Sequence, residues 1–578
     1  MVGPSARWRF GVFELDVRAG ELRKHGIRLK VQRKPISMLS LLVERAGEMV
    51  TRDELRKALW PGDDFGDFDH GLGIALNKLR AALGDSAERP RFIETLPGRG
   101  YRLLVPVRAE PTTTRRLVAV LPFENLTHDP DQEYFADGFT EELTTQLSQS
   151  DPRELGVIAR TSAARFKGTQ TDLRQIGREL GVQLLVQGSI RRFNRRIRIT
   201  AQLTELENLT HTWANSYEAD LWDVLEVQRK LATQVANSLQ VELIPKGHPA
   251  SPPKTEAYDL YLQGRHFWRR RTEEGCYKAI ELFQESIRRD PSFSLPHTGV
   301  ADAYIVLALY GIAHPPEAYE KARSALNRAL HLNKSLPEAH SSLGFILLEL
   351  DWNWLAAESE HRQAIELNPN YASGHHWYGL NLMQVGQFQK ARSEFDAALT
   401  LDPLSVAIHS HVGRLSYLER DYDRAVVEFK RALELDPEYP QAHYYLAMTH
   451  VQRKSFTEAL AEMNSALEPT PGNLALLAGR AFVCRAGGKD ANCKEIVQFQ
   501  NAYRERRASH FLASFGFIGS GRATEALECL ERAFAERSGW LLYLAHDPAF
   551  DPLRSNPMFC DLVSRVALEQ SRAATASA

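Results

Sequence analysis

Four prolines, Pro369, Pro403, Pro437 and Pro471, recur at intervals of 34 residues, and each closes a similar phrase: AIELNP, ALTLDP, ALELDP, ALEPTP. Ala364, Ala398, Ala432 and Ala466 precede them by five residues, and Ala357, Ala391, Ala425 and Ala459 by twelve. Phe395 and Phe429 fill an aromatic position that His361 and Met463 take in neighbouring copies, and Gly379, Gly413 and Ala447 mark a small one. A period of this length means a stack of helix pairs, each unable to bury its apolar face alone. The small residues fall where two helices approach, and Pro ends the second helix of each pair.

This pattern is similar to the tetratricopeptide repeat. The array begins near 254, with earlier copies ending at Asp290-Pro291 and Asn333-Lys334, and an insertion at Leu309–Glu317. Irregular copies run from about 474 to 535, and Asp547–Phe559 reads as a cap, so the array with its cap spans 254–570. His297, His340, His375, His409 and His443 take the fourth position of successive repeats. Helices packed 8–10 Å apart cannot share one ion through bonds of about 2 Å. The row therefore reads as packing or groove-lining side chains, not as a metal site. Near-neutral titration gives it a route to pH-dependent groove binding.

The chain has 578 residues with a formal net charge of −2, unevenly spread. Residues 1–108 carry 20 Lys and Arg against 14 Asp and Glu, a net of +6 that leaves −8 on the rest. A basic head on an acidic body suits a local nucleic-acid module. Five scattered Cys with no CxxC spacing suit a reduced compartment, and no apolar run reaches membrane length. The expectation is a cytoplasmic protein with no membrane segment.

The head has its own logic. Residues 7–32 alternate through Trp8, Phe10, Leu15, Leu22, Ile27 and Leu29, which predicts about four short antiparallel strands. A helix from Pro35 to Arg45 follows, then a capping box at Thr51–Glu54 opens a second helix that ends near Trp60-Pro61-Gly62. In the third helix, 69–83, which Asp69 can cap, Leu72, Leu76, Leu79 and Leu83 form one buried stripe. His70, Ile74, Asn77, Lys78 and Ala81 fall on the opposite face. Strands at Arg91–Glu94 and Tyr101–Val105 flank Leu96-Pro97-Gly98-Arg99-Gly100.

That order, ending LRAALGDSAERPRFIETLPGRGYRL, resembles the OmpR/PhoB-type winged-helix domain, here N-terminal as in CadC/ToxR-like and HilA-like regulators. The resemblance implies double-stranded promoter DNA as the partner, with the third helix in the major groove and the wing, 91–104, on the backbone or minor groove. It implies base-edge contacts from His70, Asn77 and Lys78. Phosphate, backbone or minor-groove contacts fall to Arg52, Arg80, Arg99, Tyr101 and Arg102. Gly71 and Gly73 depart from the family pattern and move the expected base contacts to the second turn of the helix.

The segment VRAEPTTTRR up to Arg116 reads as a linker, with 109–116 outside both domains. Residues 117–245 follow an α/β order: LVAVLPF, a helix near Glu133–Gln149, GVIAR, a helix at Asp172–Leu180, then three strands. Val120-Leu121-Pro122-Phe123 and Glu133-Tyr134-Phe135-Ala136-Asp137-Gly138 resemble the TolB N-terminal-like domain. Asp137, Glu141 and Glu142 have helix-surface spacing and no partner nucleophile, so they read as a solvated acidic face. No GxGxxG or Walker motif is present, and the expectation is no catalytic residue, no cofactor and no metal.

The chain thus predicts a multidomain α+β architecture: an N-terminal winged helix-turn-helix (1–108), a central small α/β domain (117–245) and a C-terminal all-α solenoid. The function expected is a sequence-specific DNA-binding transcriptional regulator. Its α/β and repeat domains would sense a signal or take a protein or peptide in the groove, RNA polymerase among the candidates. The alternative is an interaction scaffold whose winged helix is structural or protein-binding. Oligomeric state is left open.

Overall fold

The structure, a computed structural model, describes residues 7–16, 21–24, 27–29, 31–59, 68–88, 90–105, 107–110, 115–127, 129, 132–193, 196–220, 223–239, 241, 243, 253–309, 312–469, 471–489, 494–504 and 509–576. The chain divides into two compact units, 1–115 and 116–578.

The first unit opens with strands β1 (Arg7–Phe10), β2 (Phe13–Asp16), β3 (Glu21–Lys24) and β4 (Ile27–Leu29). Helix α1 (Arg33–Glu44), strand β5 (Met49–Thr51) and helices α2 (Arg52–Leu59) and α3 (Phe68–Leu83) follow. Strands β6 (Ile93–Leu96) and β7 (Gly100–Leu103) form the wing with β5 in the order β5-β7-β6. The opening sheet is antiparallel in the order β4-β3-β2-β1-β8, where β8 (Arg108–Glu110) comes from the stretch expected to be linker. The four-strand expectation missed it because three residues of mixed polarity carry no periodic signal; pairing with β1 alone makes them a strand. The core is Phe10, Phe13, Leu39, Leu42, Leu55, Leu72, Leu76, Leu79, Leu83 and Ile93, with Phe92 edge-on to Phe13 at 5.4 Å.

The capping box closes as its chemistry demands. Thr51 N–H donates to Glu54 Oε2 at 2.8 Å and Glu54 N–H to Thr51 Oγ1 at 3.3 Å. These bonds, with Arg45 at 2.7 Å, hold the Glu54 carboxyl down at about 2. Segment 60–67, where the second helix was expected to end, and the side chains of Asp69 and His70 lie outside the described residues.

The second unit begins with β9 (Arg116–Val120), β10 (Glu124–Asn125), α4 (Glu133–Ser148), β11 (Leu155–Val157), α5 (Arg160–Ala163) and α6 (Leu173–Leu180). Strands β12 (Leu184–Phe193), β13 (Arg196–Glu205) and β14 (Thr210–Asp220) and helix α7 (Val224–Ser238) complete the α/β layer. Its sheet runs β11-β9-β12-β13-β14, parallel among the first three and antiparallel thereafter.

The array follows as α8 (Thr255–Trp268), α9 (Glu273–Arg289), α10 (Leu295–Leu309), α11 (Pro315–Leu332), α12 (Pro337–Glu349), α13 (Trp354–Leu367), α14 (Ala372–Gln384) and α15 (Phe388–Leu401). It continues through α16 (Val406–Leu418), α17 (Tyr422–Leu435), α18 (Pro440–Gln452), α19 (Phe456–Leu467), α20 (Leu474–Ala486), α21 (Lys494–Arg504), α22 (His510–Gly519) and α23 (Ala523–Ala535), and closes with α24 (Pro557–Ala576). Small and large residues meet as the period requires. A Cβ on Gly379 or Gly413 would stand 2.8 or 2.7 Å from the Phe395 or Phe429 ring.

The α/β layer and the array share one core. Tyr258, Leu262 and Phe293 of the first repeats pack with Val118, Phe139, Val186 and Leu231. Asn370 Nδ2 donates to the carbonyls of Ser148 and Leu155 at 3.1 and 3.2 Å, and Ala159 N–H donates to Leu401 O at 2.7 Å. The Asn-Pro and Asp-Pro ends of the repeats do this work, which no reading of the repeats alone reveals. Asp137 and Glu141 are part of the same seam, not a solvated face. Asp137 lies 3.1 Å from Arg160 and 2.8 Å from Lys167, and Glu141 pairs with Arg265 at 2.5 Å and with Arg269. Burial opposes Asp137 ionisation, but Arg160, Lys167 and Arg269 outweigh it and hold the carboxyl below its usual range.

Candidate nucleic-acid interface

The second and third turns of α3 present one exposed face, Ile74, Asn77, Lys78 and Ala81, spaced i, i+3, i+4, i+7. The Leu stripe behind it is at most 4 % exposed, so helix and core fix the direction of these side chains. Ile74 is 45 % exposed, as Val12 and Leu104 of the same unit are at 42 % and 44 %, a lone apolar side chain on an otherwise polar face. Gly73 meets nothing within 4 Å of a built Cβ, so the first turn is open to a close-lying ligand. Lys78 Nζ donates to Gln32 Oε1 at 2.8 Å, which steers the ammonium toward the start of α1.

Arg99 sits exposed at the wing tip between Gly98, which takes a φ of +71°, and Gly100. Gly100 is compelled: a Cβ there would lie 2.1 Å from Val50 O. The Arg99 carbonyl accepts from Arg52 N–H at 3.2 Å, tying the wing to the start of α2. Arg102 is half-exposed but engaged, with Nε and Nη2 2.9 and 2.7 Å from Glu94 Oε2.

Two expected contact residues are core residues. Arg80 is 6 % exposed, and its guanidinium donates to Ile93 O and Thr95 Oγ1, both at 2.9 Å. It fastens α3 to the wing and cannot turn to a phosphate without leaving both acceptors. Tyr101 is 3 % exposed, with the Arg52 guanidinium 6.0 Å above its ring. Counting angles on an isolated helix put Arg80 on the flank; the wing that covers that flank belongs to another element, 13 to 15 residues on. Asp85 is a residue the sequence reading missed. Its carboxylate accepts from Arg91 N–H and Ile93 N–H at 2.7 and 2.8 Å and sets the wing's first strand relative to the end of α3.

In the array, four of the five fourth-position histidines repeat one arrangement. Nδ1 of His340, His375, His409 and His443 lies 2.6, 2.7, 3.4 and 2.6 Å from Glu360, Glu394, Glu428 and Glu462. Each Nε2 lies 2.8–3.2 Å from a carbonyl of the preceding loop, that of Lys334, Pro369, Pro403 or Pro437. Both partners are acceptors, and at His340 and His443 the doubly protonated ring satisfies both at once. Bonding to Glu462 raises the His443 pKa; for His340, burial works against protonation and Glu360 with the Lys334 carbonyl overcomes it. These histidines clamp the two helices of a repeat to each other and to the loop that leads into the first of them.

The groove has an occupant across its central repeats. Arg414 stacks 3.9 Å from the Tyr543 ring, Tyr417 OH donates to Asp547 at 3.2 Å, and Arg420 grips Asp551 with two bonds of 2.7 and 2.8 Å. The segment that supplies these partners, 539–553, is buried through Leu541, Tyr543, Leu544, Ala549, Phe550 and Leu553. The segment therefore packs on α12 and α16 and against Gly386, just past the end of α14.

Residues 26–103 match the family model "Transcriptional regulatory protein, C terminal", and residues 378–429 and 417–481 match tetratricopeptide repeat models. The chain is 32% identical over 253 residues to a putative adenylate cyclase 3 of Rhizobium meliloti, which covers 42% of each chain. It is 24% identical over 383 residues to the transcriptional regulator HilA of Salmonella typhimurium, covering 64% of this chain and 66% of HilA. It therefore spans less than two thirds of the length of both. Among solved structures, the DNA-binding domain of Klebsiella pneumoniae RstA in complex with the RstA box is 26% identical. That match covers 17% of this chain and 96% of that one, with a TM-score of 0.16.

Proposed function

We propose that this chain, whose N-terminal unit is a winged-helix domain of the transcriptional-regulator C-terminal family, is a sequence-specific regulator of transcription that binds double-stranded promoter DNA. The observation that carries this reading is the exposed face of α3, Ile74, Asn77, Lys78 and Ala81, beside an exposed Arg99 at the wing tip. Asn77 has the geometry to pair with adenine and Lys78 with guanine, while Arg99 supplies affinity through phosphate. His70 and Arg52 complete the proposed contact set. Arg102 joins it on exchanging Glu94 for phosphate.

The α/β layer, which we read as TolB N-terminal-like, and the array form the receiving body, and a protein or peptide is its proposed partner. RNA polymerase is one candidate. The central groove is covered by 539–553, so such a partner meets the rest of the array or displaces that segment. We read the chain as a non-enzymatic, cytoplasmic regulator. Among the described residues no helix is long and apolar enough to cross a membrane.

The test is a mobility-shift assay at physiological salt on fragments selected from a genomic pool by the full chain. Removal of residues 1–115 abolishes binding. Lys78→Ala relaxes sequence preference, whereas Arg99→Ala weakens all sequences alike and lowers the salt slope by about one. Equal retention of DNA by the truncated chain sinks the reading. Gly71 and Gly73, which leave the first turn of α3 without side chains to read bases, favour a second reading, a protein-binding winged helix, which predicts a partner captured through α3 and no salt-dependent DNA affinity.

A further inference from the structure

Strand β14 ends its sheet. It pairs with β13 and, among the described residues, with nothing on its other side. Only Trp213, Tyr217 and Ala219 of its residues are half-buried; the others are exposed. Soluble proteins usually blunt such an edge with Lys, Pro, a short strand or a bulge. Thr210–Asp220 holds no Lys, Arg or Pro, and its register shift lies at Leu203/Thr204, which leaves Trp213–Asp220 regular.

Ser216 reveals which ladder groups face outward. Its N–H donates to the Asn215 side-chain oxygen at 2.8 Å rather than to β13, and its Oγ stands 3.1 Å from Thr200 Oγ, as in a non-hydrogen-bonded pair. Ladder groups alternate along an antiparallel strand. The amides and carbonyls of Ala214, Ser216 and Glu218 therefore point off the sheet, and those of Trp213, Asn215 and Tyr217 point to β13.

We propose that the chain forms a twofold dimer in which β14 pairs edge to edge with β14 of a second copy, Asn215 lying on the axis. The strand is complementary to itself in this register. Ala214 faces Ser216 within the regular stretch, and Glu218 and Asp220 fall opposite the partner's 210–212, which holds no acid, so no two like charges meet. Trp213 faces Tyr217 on the face where both remain half-buried, and each covers the other. The Asn215 amide, which now occupies the Ser216 N–H, gives way to the partner's Ala214 carbonyl. The six-stranded sheet becomes continuous through both copies.

Sedimentation velocity of the full chain, without DNA, across a broad micromolar range tests this. The wild type sediments as a dimer. Ala214→Pro removes an outward amide and no bond to β13, and Ala214→Lys with Ser216→Lys sets like charges opposite each other twice. Each variant halves the mass while circular dichroism and the thermal midpoint stay put. Should the proline disturb the fold, the lysine pair decides alone. A wild type that is monomeric throughout, or a dimer that survives the lysine pair, overturns the proposal. Monomers that bind an extended peptide at this edge would overturn it too, with a foreign strand as the occupant. The measurement contains no DNA, so its failure leaves the DNA-binding reading untouched.

Discussion

Arg80 separates a DNA contact from a structural pin. Arg80→Ala removes a guanidinium that donates to Ile93 O and Thr95 Oγ1, and leaves both acceptors facing a small cavity. A hydrogen bond from a charged donor contributes about 1.5–3 kcal/mol. The two bonds together give about 3–6 kcal/mol, and freeing the guanidinium from its buried site returns part of that, so the net loss is about 2–4 kcal/mol. In a unit of this size 1 kcal/mol moves the midpoint by about 4–8 °C, so the N-terminal transition falls by roughly 8–32 °C. Scanning calorimetry of the full chain reads this, and hydrogen exchange localises it to residues 92–104. Below the lowered midpoint, DNA affinity stays within a few-fold of wild type and the salt slope does not change. Arg80→Lys keeps one of the two bonds and falls between. A variant that leaves midpoint and exchange untouched, yet loses affinity with a salt slope reduced by about one, refutes the assignment and restores Arg80 to the phosphate contacts.

The histidine clamps make the array sensitive to pH. His340 and His443 have folded pKa values above the unfolded value of about 6.5, so their stabilisation is complete below that pH and is lost as pH rises through the folded values. His443→Gln should flatten the fall of array stability above neutrality, measured by denaturant titration at several pH values; an unchanged slope would remove the clamp. Buried His361 and His376 act oppositely, pushed by burial to about 3 and about 4. They cost up to about 1.4 kcal/mol each per pH unit below about 6.5, and His376→Gln should soften acid unfolding. Burial raises Asp402 to about 6 against the Ser162 bonds, so its charge costs stability as pH rises from about 4 to 6. Asp402→Asn should be at least as stable as wild type at pH 7.5, by thermal midpoint. Gly413→Ala overpacks Phe429 and should cost about 1–3 kcal/mol in chemical denaturation; a neutral result would mean the ring has room to retreat.

What was legible followed from short-range chemistry. The Leu72–Leu83 stripe and the Thr51–Glu54 capping box depend on residues a few positions apart, and the 34-residue period on their repetition, and each stands where the spacing put it. What was not legible depended on partners distant in sequence. Arg80 and Tyr101 became core residues because the wing folds over α3. Asp137 and Glu141 became paired because α8, more than a hundred residues later, brings Arg265 and Arg269 to them. The fourth-position histidines read as packing or groove-lining side chains, and the structure decides for packing: their partners are a glutamate 19 or 20 residues on and a carbonyl six residues back, neither of which the period specifies. The cap was expected at the array's end; that it would fold back onto α12 and α16 has no signature in the period.

The edge pairing of β14 and the DNA face of α3 meet in one consequence. A dimer carries two winged helices, so the second binds at an effective concentration set by the connection rather than by the bulk. Avidity of this kind commonly reaches about 10²–10⁴ without a new contact. On DNA with two copies of the selected site at helical-repeat spacing, the wild type should bind far more tightly than on one copy. Ala214→Lys with Ser216→Lys should lose that gain and keep the single-site affinity, because Ala214 and Ser216 belong to the second unit and Asn77 and Lys78 to the first. Quantitative mobility shifts on one-site and two-site fragments, with spacing varied in half-turn steps, read both quantities. If the lysine pair binds two-site DNA as well as wild type does, any cooperativity arises between winged helices on the DNA, and β14 has no part in it. If single-site affinity falls as well, the substitutions have reached the winged helix by another route and the separation of the two roles fails.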